Sequence, residues 1–142
     1  MKLLIALFAM TASITNASEY CAQSPVEALK HLSDAYKSRN IDKSLNAIDF
    51  NAWAKSSSNI GGVKITPREL QEEYKKNLEN GGFPIYTGLS CKLNQKQNGS
   101  AVVVSEACSF ETGGTYKINY TAVKSKCGWK IGSLYMPNKA LK

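Results

Sequence analysis

Apolar and polar residues alternate along the last third of the chain, Ala101 to Met136, in three runs: AVVVSEACSF, TYKINYTAV and GWKIGSLYM. Alternation at period two marks half-buried strands, and Thr112-Gly113-Gly114 and Lys124-Ser125-Lys126 supply turn chemistry between them. A fourth strand is expected just upstream, from about Tyr86 to Gln95, turning into this meander at Asn98-Gly99. Before it the period becomes helical. Ser24-Pro25-Val26-Glu27 has the form of a capping box, after which Val26, Leu29, Leu32 and Tyr36 recur at helical spacing to about Lys37. His31 falls off that stripe. Ser38-Arg39-Asn40 interrupts the pattern, and Ile41 to Ile48 predicts a short second helix with Leu45 and Ile48 inward. Phe50, Ala52 and Trp53 extend an apolar patch that closes the end of the domain, and Lys55 to Asn59 with Gly61-Gly62 reads as a loop. A second capping box, Thr66-Pro67-Arg68-Glu69, opens a helix to about Glu79 with Leu70, Tyr74 and Leu78 buried. Asn80-Gly81-Gly82 stops it, and Pro84 bars continuation.

Strand register follows from matching faces, because a slip of one residue would turn every side chain over. Setting Cys91 opposite Cys108 places Leu89 by Phe110, Leu93 by Glu106 and Gln95 by Val104. A bulge at Gly113-Gly114 then pairs Phe110 with Tyr116, Cys108 with Ile118 and Val104 with Ala122. A tight Ser125-Lys126 turn sets Tyr120 against Ile131 and Ala122 against Trp129. One face of the sheet becomes apolar, with Leu89, Leu93, Val102, Val104, Phe110, Tyr116, Ile118, Tyr120, Trp129, Ile131 and Tyr135. The other carries Lys92, Lys117, Lys130, Asn119 and Thr121 among small residues. An antiparallel sheet with one apolar face calls for helices on that face, so the fold class expected is α+β, with helices on one side of a curved sheet of about four strands.

The first 17 residues change the picture of where this domain works. Lys2, the apolar run Leu3 to Met10 and a small-residue end at Ala17 have the form of a secretory signal peptide, with Ala12 as a weaker cleavage point. The apolar run is much shorter than the roughly 20 residues of a membrane helix. Ser18-Glu19-Tyr20 before Cys21 lacks the small residues of a lipoprotein site. Residues 18–142 are then one soluble, periplasmic or secreted domain, and all four cysteines remain in it. An even number of cysteines in an exported chain predicts two disulfides, Cys91–Cys108 from the register and Cys21–Cys127 tying down the start of the first helix. With one histidine and no Cys-x-x-Cys pair, no metal site is expected. The formal charge of +7 becomes +6 without Lys2 and favours acidic partners, but the lysines are too dispersed for a nucleic-acid surface.

The helical hairpin Ala35-Tyr36-Lys37-Ser38-Arg39-Asn40-Ile41-Asp42-Lys43-Ser44-Leu45, with Phe50 and Trp53, resembles small exported bacterial members of the NTF2-like superfamily, the cystatin-like α+β cone. The capped helix Thr66 to Glu79 and a sheet ending in Gly128-Trp129-Lys130-Ile131-Gly132-Ser133-Leu134 extend the likeness over most of residues 18–142. It implies a cone between sheet and helices that houses enzymes in some members and binding or assembly functions in others, so the fold does not choose between them.

No P-loop, nucleophile elbow or dinucleotide fingerprint is present, and no cofactor is expected. His31 is a weak candidate base. Glu106 points inward in the expected register, beside Leu93 and Tyr120, and with Tyr120, Tyr116 and Trp129 it would make the polar anchor of a ligand pocket, or the base of an isomerase, lyase or hydrolase. A bulge near Ser105 would instead turn Glu106 out toward a lysine. On the outer face Val103, Ala107, Val123 and Leu134 offer a surface for a protein partner or a second copy. The expected function is a non-catalytic binding or assembly domain, with a small enzyme or a periplasmic inhibitor or immunity protein as alternatives.

Overall fold

The structure is a computed structural model that describes residues 19–61, 64–98 and 101–135. Helices α1 (Pro25–Lys37), α2 (Ile41–Asn46), α3 (Phe50–Gly61) and α4 (Pro67–Glu79) precede strands β1 (Leu89–Asn98), β2 (Ala101–Phe110), β3 (Thr115–Lys124) and β4 (Trp129–Tyr135). The strands form one antiparallel sheet in the order β1-β2-β3-β4. The segment expected to be a signal peptide, the turn expected at Gly99 and the residues after Tyr135 lie outside the described residues.

Capping chemistry sets the helix starts. Thr66 and Glu69 make a complete capping box at α4. At α1 the Ser24 hydroxyl accepts the Glu27 N–H at 3.2 Å, but the Glu27 carboxylate reaches past the cap to the Gln23 N–H at 2.7 Å and takes the Tyr20 hydroxyl at 2.8 Å. Half of the expected reciprocal box is thus used to fasten the segment before the helix. Arg39, at φ 51°, ends α1 in the left-handed conformation, and Asn40 then caps α2 through the Lys43 N–H.

The expected loop over residues 55–62 is corrected: α3 continues through it to Gly61. Asp49 starts that helix by accepting the Ala52 N–H at 3.0 Å, while Phe50, Trp53 and Ala54 fix its inner face. Phe50 and Trp53 meet Tyr74 of α4 at ring distances of 5.9 and 5.6 Å. That burial outweighs the poor helix propensity of the serine run. Leu29, Leu32, Val104 and Ile131 are fully enclosed where α1 crosses the sheet, with Tyr36, Ile48, Val102, Tyr120 and Ala122 around them.

The β1–β2 register is the expected one, with Leu89 opposite Phe110, Cys91 opposite Cys108 and Leu93 opposite Glu106. Between β2 and β3 the pairing is displaced by two residues, so that Cys108 faces Tyr116, Glu106 faces Ile118 and Val104 faces Tyr120. A shift of two keeps every face, and burial patterns alone could not distinguish the two registers. The last hairpin is wider than expected, since Ser125 N–H closes on the Gly128 carbonyl and Lys124 pairs with Trp129. A bulge at Gly132, between the Thr121 and Ala122 partners, then reverses the faces of the end of β4. Leu134 comes into register with core-facing Tyr120, and Tyr135 with Asn119, opposite to the expected assignment. Phe110, expected in the core, is 45% exposed at the sheet's corner.

Both disulfides are formed. Cys91–Cys108 joins directly opposed residues with α-carbons 4.0 Å apart, and Cys21–Cys127 ties the segment before α1 to the β3–β4 hairpin at 5.2 Å. Beside the second bond, Trp129 donates its N–H to the Ala22 carbonyl at 2.9 Å. Only glycine allows that approach at position 128, where φ is 153° and a β-carbon would stand 2.4 Å from the Ala22 oxygen.

Candidate functional site

Glu106 is the only acidic residue in the four strands, and β2 turns it into the core, where it is 1% exposed. The bulge that would have turned it outward is absent from the continuous β1–β2 ladder. A buried carboxylate requires donors. The Ser33 hydroxyl donates to Oε1 at 3.0 Å and the Tyr86 hydroxyl to Oε2 at 3.1 Å. These donors come from the inner face of α1 and the segment before β1, not from the neighbouring Tyr120. Glu106 therefore fastens a helix and a connecting segment to the middle of the sheet. A carboxylate oxygen of Glu106 also lies within 4.8 Å of both Cys91 and Cys108 sulfurs, which are bonded to each other and so offer no thiolate for a metal.

Tyrosines surround this tie. Tyr120 is buried in the row beside Glu106, and the Tyr36 and Tyr74 hydroxyls meet in a short hydrogen bond between α1 and α4. Burial pushes the Tyr36 phenol up to about 12, and Tyr74, Tyr86 and Tyr120 are raised further, again chiefly by burial. The Glu106 carboxylate adds to the shift at Tyr86 and Tyr120. Above pH 10 an unfolded chain ionises these phenols and the folded chain resists. Their contribution to stability is complete below pH 10 and falls as pH rises, through about 12 for Tyr36. A tyrosinate absorbance titration is expected to show these four phenols ionising only with cooperative unfolding. Reversible titration of all of them near 10, without unfolding, would contradict the packing.

The expected pocket residues are only partly brought together. Tyr116, opposite Cys108 and half-buried against Phe110, shares the Glu106 face with Tyr120. Trp129 does not join them. It pairs with Lys124, six residues along β3 from Ile118, the partner of Glu106, which is about 20 Å away at strand rise. The two-residue displacement and the wider hairpin carry it to the sheet's other end. A cleft of about 400 Å³ opens over Tyr36 and Tyr86, with Lys37 and Arg39 on its rim and Ile85 78% exposed beside it. Lys37 Nζ stands 5.1 Å from the Tyr86 ring centre.

His31 is not the simple surface residue its position off the stripe implied. Its ring stacks on Tyr20 at 3.7 Å and its Nε2 is enclosed. Burial lowers its pKa first, followed by the charge of Lys43.

On the outer face the register sets Val103 between Lys96 and Thr121, Ala107 between Lys92 and Lys117, and Val123 beside Lys130. Val103, Ala107 and Val123 are partly exposed. In the ladder Leu134 pairs with Tyr120. Since Glu106 faces inward, no strand residue on the outer face is acidic.

No protein-family model matches the sequence, and no curated protein matches it. Among solved structures, a protein from Thiobacillus denitrificans described as a calcium/calmodulin-dependent protein kinase type II association domain superposes with a TM-score of 0.54 and 12% identity, covering 82% of this chain and 96% of that one. At that identity the likeness is one of fold, and it agrees with the helix-on-curved-sheet architecture above: the chain has an NTF2-like α+β fold.

Proposed function

We propose that this chain is an exported, non-catalytic binding domain, periplasmic or secreted, whose outer sheet face docks a partner protein through an acidic surface. The observation that carries the proposal is the composition of that face, a partly exposed apolar row of Val103, Ala107 and Val123 in which Lys92, Lys96 and Lys117 flank the first two and no strand residue on the face is acidic. Apolar centres with charged rims suit protein docking. A two-fold contact with a second copy would bring one lysine-bearing face against another, so a partner of opposite charge is favoured over self-association. The two disulfides and the apolar leader support an oxidising compartment. Against an enzymatic role, both oxygens of Glu106 are held by hydroxyls of the chain itself. The association-domain description of the solved neighbour agrees with a role in protein contact. An inhibitor or immunity protein would be one case of such binding.

The test is capture from envelope extract by immobilised residues 18–142 and by two variants, Val103→Glu and Lys117→Glu. The expected result is a partner with an acidic surface retained by the wild type and lost with both, while circular dichroism shows each variant folded. Capture unaffected by either change, or a concentration-dependent dimer of the purified chain dissolved by Val103→Glu, would overturn the proposal.

A further inference from the structure

A cleft of about 710 Å³ lies between the starts of α3 and α4 and the β3–β4 hairpin, a volume within the range of ligand sites. Four cations, Arg68, Lys124, Lys126 and Lys130, border it against two carboxylates, Glu19 and Asp49. Both carboxylates are engaged. Asp49 caps α3 through the Ala52 N–H, and Glu19 pairs with Lys130. Arg68 is shared with Glu72, so the positive excess comes chiefly from Lys124 and Lys126 on the hairpin. The helix starts on the wall are capped by Asp49 and by the Thr66–Glu69 box, and they add little to that excess.

The Glu19–Lys130 pair indicates what the cleft holds. Lys130 has a side chain only 12% exposed, next to a hairpin whose Lys124 and Lys126 are exposed, and its partner Glu19 is 58% exposed. A carboxylate carried on an extended segment of chain, tethered nearby by Cys21–Cys127, already occupies the enclosed ammonium. The wall also offers apolar side chains, Leu45, Phe50 and Pro67, among the polar Asn46, Asn51 and Gln71.

We infer that this cleft binds an acidic peptide segment, with one of its carboxylates replacing Glu19 at Lys130, others meeting Lys124 and Lys126, and an apolar side chain lying against Phe50. The inference deepens the acidic-partner reading and rests on it, but its site is separate from the Val103 row. The probe is a short acetylated peptide of alternating glutamate and leucine, titrated into isotope-labelled residues 18–142, with a lysine-leucine peptide and citrate as comparison arms. The glutamate peptide is expected to shift the amides of the β3–β4 hairpin and of the α3 and α4 starts, and the lysine peptide to shift none of them. Lys124→Glu with Lys126→Glu, both exposed positions, should weaken binding by about tenfold or more, and Glu19→Gln should strengthen it by removing the internal competitor. Binding unchanged by the lysine pair, or weakened by Glu19→Gln in a protein of unchanged melting temperature, would overturn the assignment. Citrate binding as tightly as the peptide would also overturn it, since the apolar side chains would then contribute nothing. If capture proves indifferent to Val103→Glu while the glutamate peptide still binds here, the sheet-face reading fails and the cleft stands.

Discussion

Replacing Cys21 and Cys127 together by alanine is expected to lower the unfolding free energy by about 2–5 kcal/mol, the usual consequence of losing a long-loop disulfide in a small domain. The bond spans 106 residues of sequence, against 17 for Cys91–Cys108. In the chain-entropy account the longer loop constrains the unfolded state more. The native side depends on it as well, because the segment before α1 reaches β4 through one Ala22–Trp129 bridge, the glycine approach at position 128, and the Tyr20–Glu27 and Glu19–Lys130 contacts. Removing Cys91–Cys108 should matter less, since it joins two strands already paired along ten residues each. Guanidinium unfolding of the two double-alanine variants checks the order. A larger loss from the Cys91–Cys108 pair would contradict it.

Glu106→Ala is the second change with a large expected effect, a loss of about 3 kcal/mol. It empties a fully enclosed volume and leaves the buried Ser33 hydroxyl and the Tyr86 hydroxyl without their acceptor. Glu106→Gln should cost only about 1 kcal/mol, because the amide keeps the volume and both hydroxyls can turn to suit its oxygen and nitrogen. Urea unfolding of the two variants decides the matter. Equal, small losses from both would mean that the carboxylate does not tie α1 and the Tyr86 segment to β2.

Much of this was legible in the sequence. Alternation placed the strands, the Ser24 and Thr66 caps placed two helices, and one assumption, Cys91 opposite Cys108, fixed the β1–β2 ladder and the inward direction of Glu106. The remaining registers were ambiguous for a physical reason. A two-residue shift preserves faces, and a bulge at one glycine is invisible to alternation, yet together these moved Trp129 from the Glu106 end of the sheet and brought Leu134 into register with Tyr120. The donors to Glu106 were missed for different reasons. Ser33 lies one turn after Leu29 on the α1 inner face, a position that helical spacing marks although a serine adds nothing to an apolar stripe. Tyr86 sits three residues before β1 in an irregular segment whose path depends on tertiary contacts. The length of α3 was missed because its serines argue against helix while its Asp49 cap and aromatic contacts with α4 decide for it.

Lysine acetylation footprinting of the captured complex tests most directly whether the outer sheet face is the docking surface. Lys92, Lys96 and Lys117 lie on that face, whereas Lys30 and Lys75 are exposed on α1 and α4. The account predicts that partner binding protects the three strand lysines and leaves the two helix lysines as reactive as in the free chain. Protection of Lys30 and Lys75 with the strand lysines unchanged would place the partner on the helices and contradict it.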